Sequence, residues 1–338
     1  MKTAIVRIDN VDIVFAMRVQ ILALDGVFDT GLALMMDAFK TANELAEMTG
    51  LTSLRFDVTL VGARKSVKTS QGLTVPVTTV SNRMVPDLGV VPAIGYKMPG
   101  PLVEALARPD MKNASRILHT WAERRATVAA ACIGTFVLAE SGLLNDQDAT
   151  TTWWLAPLFR QRYPKIRLDE SRMIVKSGKF VTAGAALSHM DLALSLIRQK
   201  SPKLAALTGK YLIVDTRPSQ SAYILSDHLA HSDPMVQQFE RWARSRLAEG
   251  FSLDDAAQAA GASKRTLARR MEAVMGKSPL SYFQDLRVER AVHLLKTSDQ
   301  SIEEIATQVG YSEGVTLRTL LRRHLGHGIR EIRRRLDN

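Results

Sequence analysis

The sequence predicts two domains of different class. The first is an α/β domain over residues 1–212, with a mostly parallel sheet covered by helices on both faces; the second is an all-α domain over residues 234–338; a linker at 213–233 joins them. Three observations carry this. The 338 residues suffice for about two domains of ordinary size. Short apolar runs alternate with amphipathic stretches as far as Ile197, after which strand signals nearly disappear. A twelve-residue segment near the C-terminus recurs at an offset of 49.

Each element follows from its pattern. Residues 19–24 read as a strand and 31–46 as a helix; 56–61 form a second strand, and 66–77, with Gln71-Gly72 at the middle, a hairpin. Residues 88–91 and 126–131 are further buried strands, with helices at 102–107 and 115–124 between them. Strands alternating with helices make βαβ units and hence a parallel sheet. Residues 178–184 and a helix at 188–198 close the domain. Pro218, several serines and Asp233-Pro234 mark the linker, with one short helix in it, and everything beyond Pro234 is helical, including a long helix near residues 280–295.

Composition sets bounds on function. Hydrophobic residues at 46% and charged residues at 23% fit a globular protein and exclude disordered and collagen-like chains. A single cysteine, Cys132, excludes an intramolecular disulfide framework and a Cys-rich zinc site and fits a reducing compartment. Arg7, Asp9, Asp12 and Arg18 interrupt every early apolar run, so a cytoplasmic protein without membrane contact is expected. No metal or cofactor is expected. The net charge of +11 suggests an anionic partner, yet residues 1–232 carry +7 of it and residues 233–338 only +4. Bulk charge therefore does not say which domain meets that partner.

Local charge does. Residues 252–263, Ser-Leu-Asp-Asp-Ala-Ala-Gln-Ala-Ala-Gly-Ala-Ser, match residues 301–312, Ser-Ile-Glu-Glu-Ile-Ala-Thr-Gln-Val-Gly-Tyr-Ser. Each copy opens on a helix-capping serine followed by acids, where side-chain oxygens satisfy free N–H groups and negative charge suits the helix dipole. Each then turns at Gly261 or Gly310, and a second serine, Ser263 or Ser312, opens another helix. Helix, short glycine turn, helix is the helix-turn-helix plan, whose second helix enters the DNA major groove. Residues 249–262 and 299–313 contain acids and no Lys or Arg, whereas 263–277 carry a net +4 and 315–335 a net +6. An Arg-rich helix is often only a solvated face, but the duplicated frame favours DNA. Leu267, Met271 and Val274 share the core-facing stripe, and Arg265 and Arg269 share another face. Candidate DNA contacts are Ser263, Lys264, Arg265, Thr266, Arg269 and Arg270 in the first unit, and Ser312, Thr316, Arg318, Thr319, Arg322 and Arg323 in the second.

Over about 105 C-terminal residues the chain resembles the AraC/XylS family of transcription regulators. The resemblance rests on Ser263-Lys-Arg-Thr-Leu-Ala-Arg-Arg-Met271, Gly276-Lys-Ser-Pro279, Tyr282 to Ala291 with Arg287 and Arg290, Ile305-Ala306, Val309-Gly-Tyr-Ser312, and Leu317 to Gly326. It implies two helix-turn-helix units joined by the long helix, with their second helices in successive major grooves about 34 Å apart. The chain departs from the family at Gly326-His-Gly-Ile-Arg-Glu-Ile332, in place of Gly-x-Ser-Pro and an aromatic, and at Met271, Leu317 and Leu321, in place of phenylalanines. Gly314 and Val315 stand where base-reading polar side chains are common. The first unit is therefore expected to supply most sequence discrimination and the second mostly phosphate contacts.

Cys132 lies where the buried 126–131 strand passes through Cys132-Ile-Gly134 into a helix at 135–141, the elbow geometry that holds a nucleophile exposed at the carboxyl end of a sheet. A lone cysteine is more commonly a small buried hydrophobe. The domain resembles the PfpI-like, class I glutamine-amidotransferase-like proteins found fused to AraC-type domains. The shared stretches are Ala23-Leu-Asp-Gly-Val27, Thr69-Ser-Gln-Gly-Leu73, Cys132-Ile-Gly-Thr-Phe-Val-Leu-Ala139, Gly142-Leu-Leu144, Ala149-Thr-Thr-Thr-Trp153, Tyr163-Pro164 and Thr182-Ala-Gly184. The resemblance covers roughly residues 17–212 and implies a flavodoxin-like sheet. Related enzymes pair the cysteine with a histidine; here the corresponding residue is Thr152, which cannot serve as an imidazole base. His119 and His189 lie outside any partner motif, and Pro92-Ala-Ile-Gly95 replaces a Pro-Gly-Gly loop.

The expectation is thus a non-catalytic sensor. Its effector site lies beyond the carboxyl ends of the strands, near Asp29, Ala93, Cys132, Ile133, Thr152 and Trp153. Regulators of this fusion type tend to sense amino acids or quaternary amines, for which Trp153 and Trp154 offer an aromatic wall, although adjacent tryptophans are more often core and interface. The expected partners are double-stranded promoter DNA, a small-molecule effector, a second copy through the N-terminal domain and, for an activator, RNA polymerase. The alternatives are a Cys132-dependent hydrolase or glyoxalase-like enzyme, and a thiol redox sensor.

Overall fold

Strand β1 (Phe15–Leu22) pairs in parallel with β2 (Leu54–Gly62) on one side and β6 (Leu88–Val91) on the other. The computed structural model describes residues 15–51, 53–80, 85–214, 217, 219–220, 233–325 and 328–334. The predicted linker falls largely outside them, as do Gly326 and His327. Contacts divide the chain into units 1–220 and 221–338.

In the first unit, β3 (Ser66–Lys68) and β4 (Thr74–Pro76) form the predicted antiparallel hairpin. A seven-stranded sheet runs in the order β10-β11-β7-β6-β1-β2-β5, where β5 is Thr78–Thr79, β7 Thr127–Ala131, β10 Ile174–Ser177 and β11 Phe180–Ala183. Only the edge pair β10–β11 is antiparallel. All four residues of β6 and the last four of β7 are buried, the continuous apolar run of a sheet covered on both faces. Alternation assigns the faces. Leu22, Val91, Val128 and Ala130 pack with Leu118, Trp121 and Phe136 on one side, and Ile21, Val90, Ala129 and Ala131 pack with Met35, Phe39 and Leu196 on the other.

The first side belongs to α2 (Pro99–Leu106), α3 (Pro109–Glu123), α4 (Gly134–Glu140) and α5 (Ala156–Arg162). The second belongs to α1 (Asp29–Met48), α6 (Ser188–Lys200) and α7 (Pro202–Tyr211). β1, β2, α1, α2, α3 and α6 start earlier or run longer than the apolar pattern alone suggests, because residues at their ends still make backbone hydrogen bonds, whereas β6 coincides with the expected strand and β7 is one residue shorter. A two-stranded parallel ladder of β8 (Asp148–Ala149) and β9 (Arg167–Leu168) is too short to leave a sequence pattern.

The turn from β7 into α4 is the tightest approach. A Cβ on Gly134 would lie 2.3 Å from the Val91 carbonyl oxygen and 2.7 Å from that of Pro92, and neither can yield because both are backbone. Gly134→Ala is expected to lower stability by about 2 kcal/mol through this overpacking. Urea unfolding checks it; an unchanged midpoint contradicts the close approach.

In the second unit, α8 (Pro234–Ser245) is capped by Asp233, whose carboxylate accepts from the Met235 and Val236 N–H groups. The pairs α9 (Leu253–Ala259) with α10 (Lys264–Met275), and α12 (Ile302–Gln308) with α13 (Gly314–Leu325), are the repeat. The caps predicted at Ser252, Ser263 and Ser301 are made, the last as a reciprocal capping box with Glu304. Gly261 and Gly310 take φ of 63° and 80°, the left-handed turns the frame requires. Helix α11 (Pro279–Thr297) joins the two helix pairs, and α14 (Ile329–Arg334) sets Ile332 into the core of the second pair. Met271, Leu317 and Leu321 are buried, so these smaller side chains keep the cores that phenylalanines would fill. Arg287 of α11 is buried between the rings of Phe283 and Tyr311, 4.8 and 5.0 Å from their centroids, and donates to the Leu247 carbonyl.

Candidate functional site

Two places bring chemistry together, one in each unit. In the second unit, the caps decide which polar side chains project. The Ser263 hydroxyl accepts from the Thr266 N–H and contacts the Thr266 hydroxyl, so both residues serve the start of α10. Lys264 pairs with Asp254 at 2.9 Å, and Arg270 is tied to Asp233, the buried cap of α8. Arg265 and Arg269 remain exposed and unpaired among the described residues, one helical turn apart on the same face.

The second copy is arranged differently. Arg318, the counterpart of Arg269 at the offset of 49, pairs with Glu303 at 3.1 Å. The Thr319 hydroxyl donates back to the Val315 carbonyl. Ser312, Thr316, Arg322 and Arg323 are exposed, and the two arginines are unpaired among the described residues. Val315 is 64% exposed, an apolar side chain where a helix meets solvent. Of the twelve candidate contacts, four guanidinium groups thus remain uncommitted, and they fall two to each copy.

In the first unit, Cys132 has φ of 54°, a left-handed conformation that a side-chain-bearing residue resists and that marks the elbow. Its N–H donates to the Ala183 carbonyl, and its carbonyl accepts from the Thr151 hydroxyl. The expected exposure is not found: Cys132 is 3% exposed. Burial pushes the thiol up to about 12, against the weaker opposing pull of the Ile133 N–H and the Thr152 hydroxyl. The thiolate, the reactive form, is therefore scarce at neutral pH. Neither imidazole is available to it. His119 Nε2 contacts the Ser141 carbonyl; His189 Nδ1 contacts the Ala186 carbonyl, and its Nε2 accepts from the Ala93 N–H at 3.1 Å.

The other predicted effector contacts divide in the same way. Ala93, Ile133, Thr152 and Trp153 are buried, Trp154 is half-buried, and the two indoles meet edge to face at 5.5 Å. Thr152 Oγ1 has no oxygen or nitrogen partner among the described residues, and the same holds for Thr135 Oγ1, Ser188 Oγ and one oxygen of Asp29. Burial pulls the Asp29 carboxyl up, but hydrogen bonds from Thr69, Ser70 and the Gln71 N–H outweigh it and hold the group below its usual range. Asp29 thus stays ionised. His189, which the sequence places outside any partner motif, is fully buried against Gly31 and Phe28; its place in a helix gave no sign that tertiary packing would bring it to Ala93.

Comparison with known proteins fits both units. Residues 17–199 match the DJ-1/PfpI family profile, and residues 256–335 match a helix-turn-helix domain. The HTH-type transcriptional regulator GbdR of Pseudomonas aeruginosa is 26% identical over 198 residues, 57% of this chain and 54% of that one. ArgR, an HTH-type transcriptional regulator of the same species, is 26% identical over 220 residues, 64% of this chain and 67% of that one. The chain spans about half the length of the first of these curated relatives. Among solved structures, an AraC family transcriptional regulator from Pseudomonas putida has a TM-score of 0.49 at 21% identity, covering 58% of this chain and 99% of its own. No helix among the described residues is long and apolar enough to cross a membrane. The chain belongs to the DJ-1/PfpI family and carries a C-terminal helix-turn-helix domain of the AraC type.

Proposed function

We propose that the chain is a sequence-specific, DNA-binding transcription regulator whose α/β unit binds a small metabolite without converting it. The observation that carries this reading is the duplicated, capped helix pair with uncommitted Arg265 and Arg269 in one copy and Arg322 and Arg323 in the other. Relatives named as transcriptional regulators support it, one of them the transcriptional activator RhaS of Enterobacter, 33% identical over 131 residues. Arg265 and Arg269 read bases; Arg322 and Arg323 hold phosphates. Residues 213–233 link the domains, the α/β unit pairs two copies, and contact with RNA polymerase gives activation.

The proposed inner wall of the effector site is Asp29, Ala93, Cys132, Ile133, Thr152 and Trp153. The buried Asp29 oxygen that has no hydrogen-bond partner among the described residues supports it, since such atoms are costly. An amino acid or quaternary amine fits the ionised Asp29. The test is retention of fragmented genomic DNA by the purified protein, with and without candidate metabolites. Enrichment of defined fragments, altered by a metabolite, is expected; uniform retention contradicts the reading.

The enzymatic and redox alternatives make a different demand on Cys132. Native protein at pH 7 is expected to react with a disulfide reagent at least about 100-fold more slowly than unfolded protein, because the thiol is buried and protonated. In the absence of any metabolite, Cys132→Ser should leave DNA retention unchanged. Rapid native labelling, with turnover or a peroxide response lost in Cys132→Ser, would favour an enzyme or a switch.

A further inference from the structure

The parallel order reverses at one place. From β1 the chain passes to β2 on one side and then returns to β6 on the other, so the carboxyl ends of β1 and β6 flank a topological switch point. Open α/β sheets bind ligands in the crevice at such points. A cavity of about 610 Å³ lies here, bounded by Asp25 and Gly26 after β1, Gly95 and Tyr96 after β6, and the β3–β4 hairpin. Its volume is within the range of small-molecule sites. None of the six residues proposed around Cys132 lines it.

The walls are held together before any ligand arrives. Gly26 N–H donates to the Lys68 carbonyl and Gly95 N–H to that of Gly26, both at 2.7 Å, while Ser70 N–H donates to the Val27 carbonyl at 2.8 Å. Three separate segments are thereby tied by backbone alone, which lowers the ordering cost of binding. Arg108 stiffens the rim. Its guanidinium donates to both Asp110 oxygens, to the Tyr96 hydroxyl and to the Asp25 carbonyl.

Charge in the cavity is not balanced. Arg108 is neutralised by Asp110, and Arg64 by Asp25 at 3.2 Å; the other Asp25 oxygen accepts the Lys68 N–H. The ammonium groups of Lys65 and Lys68 are left with no anionic partner among the described residues. Ser66 and Thr74 lie along the same wall and offer hydroxyl donors, whereas the Ser70 hydroxyl is committed to the Asp29 carboxylate.

We propose that this cavity is a binding site for a small molecule bearing two or more anionic groups, carboxylate or phosphate, held by Lys65 and Lys68. The site is distinct from the Cys132 region and rests on the sensor reading only for its effect on DNA, not for binding itself.

Calorimetric titration of the full chain at fixed ionic strength tests it, with citrate and inorganic pyrophosphate as the carboxylate and phosphate probes and acetate as the monoanion. At least one polyanion is expected to bind tenfold or more tightly than acetate, and which one does so identifies the anionic group. The double variant Lys65→Ala/Lys68→Ala should lose at least tenfold in that affinity with an unchanged melting temperature, whereas Lys176→Ala, on the far edge strand β10, should bind as the wild type does. Three results would overturn the proposal: no saturable binding, binding no tighter than acetate, or equal binding by the double variant. The third of these, accompanied by weakened duplex-DNA binding of the double variant, would make the patch a DNA-backbone contact. Duplex binding by the wild type, measured on the same preparation, reports separately on the regulator reading.

Discussion

Replacing Arg265 and Arg269 together with alanine is expected to weaken binding to the preferred DNA sequence by at least about 30-fold, from about 1–3 kcal/mol for each base-reading arginine. Binding to unrelated duplex should fall much less. The two side chains share one exposed face of α10 and have no anionic partner among the described residues, so no protein contact must be broken before they meet a base. Arg318→Ala should change base preference little, because Glu303 already engages that guanidinium. Arg322→Ala/Arg323→Ala should weaken all sequences alike and reduce the salt dependence of binding by about two ions. Fluorescence anisotropy on matched and mismatched duplexes across a salt series separates these outcomes. If Arg318→Ala relaxes base preference more than Arg269→Ala, the division of labour between the copies is wrong.

Stability of the α/β unit is expected to fall by about 3 kcal/mol as pH drops from about 6.5 to about 4, at about 1.4 kcal/mol per unit. Burial pushes His189 down to about 4, against a weaker raising effect of the Ala186 carbonyl. Among the described residues no carboxylate contacts the ring, which is faced by Phe28, Gly31, the Ala93 N–H and the Ala186 carbonyl. The unfolded chain therefore takes up a proton below pH 6.5 that the folded chain refuses until about pH 4. Stability is complete above 6.5 and is lost through that window. His189→Gln, which keeps an amide donor and acceptor but cannot titrate there, should flatten the slope. Urea unfolding at pH 7, 6, 5 and 4.5 provides the comparison; an equal slope in both proteins contradicts the assignment.

What the sequence discloses is mainly local. The capping serines 252, 263 and 301, the glycine turns at 261 and 310, and the alternation of apolar runs all act over a few residues, and the structure carries each as expected. The elbow at Cys132 is likewise local, and its positive φ agrees. Exposure at that elbow is not local. It depends on tertiary packing: the Ala183 carbonyl and the Thr151 hydroxyl, both distant in sequence, tie down the Cys132 backbone, and the residue is buried. Commitment of charged side chains is equally hidden. Arg270 and Arg318 look as free as Arg265 and Arg269 in the sequence, yet Asp233, 37 residues away, and Glu303, 15 away, hold the first two. The switch-point cavity draws its residues from four separated segments, so no spacing announces it.

The central claim, that the chain reads DNA through two linked helix-turn-helix units, is tested most directly by selection of binding sites from a random duplex pool with the full-length protein. The account predicts an enriched bipartite sequence whose two parts lie about one helical turn, roughly 10 base pairs, apart. The part read by α10 should be the more sharply defined, and Arg265→Ala/Arg269→Ala should erase it. A pool that shows no enriched sequence, or a single site unaffected by that double variant, would contradict the account.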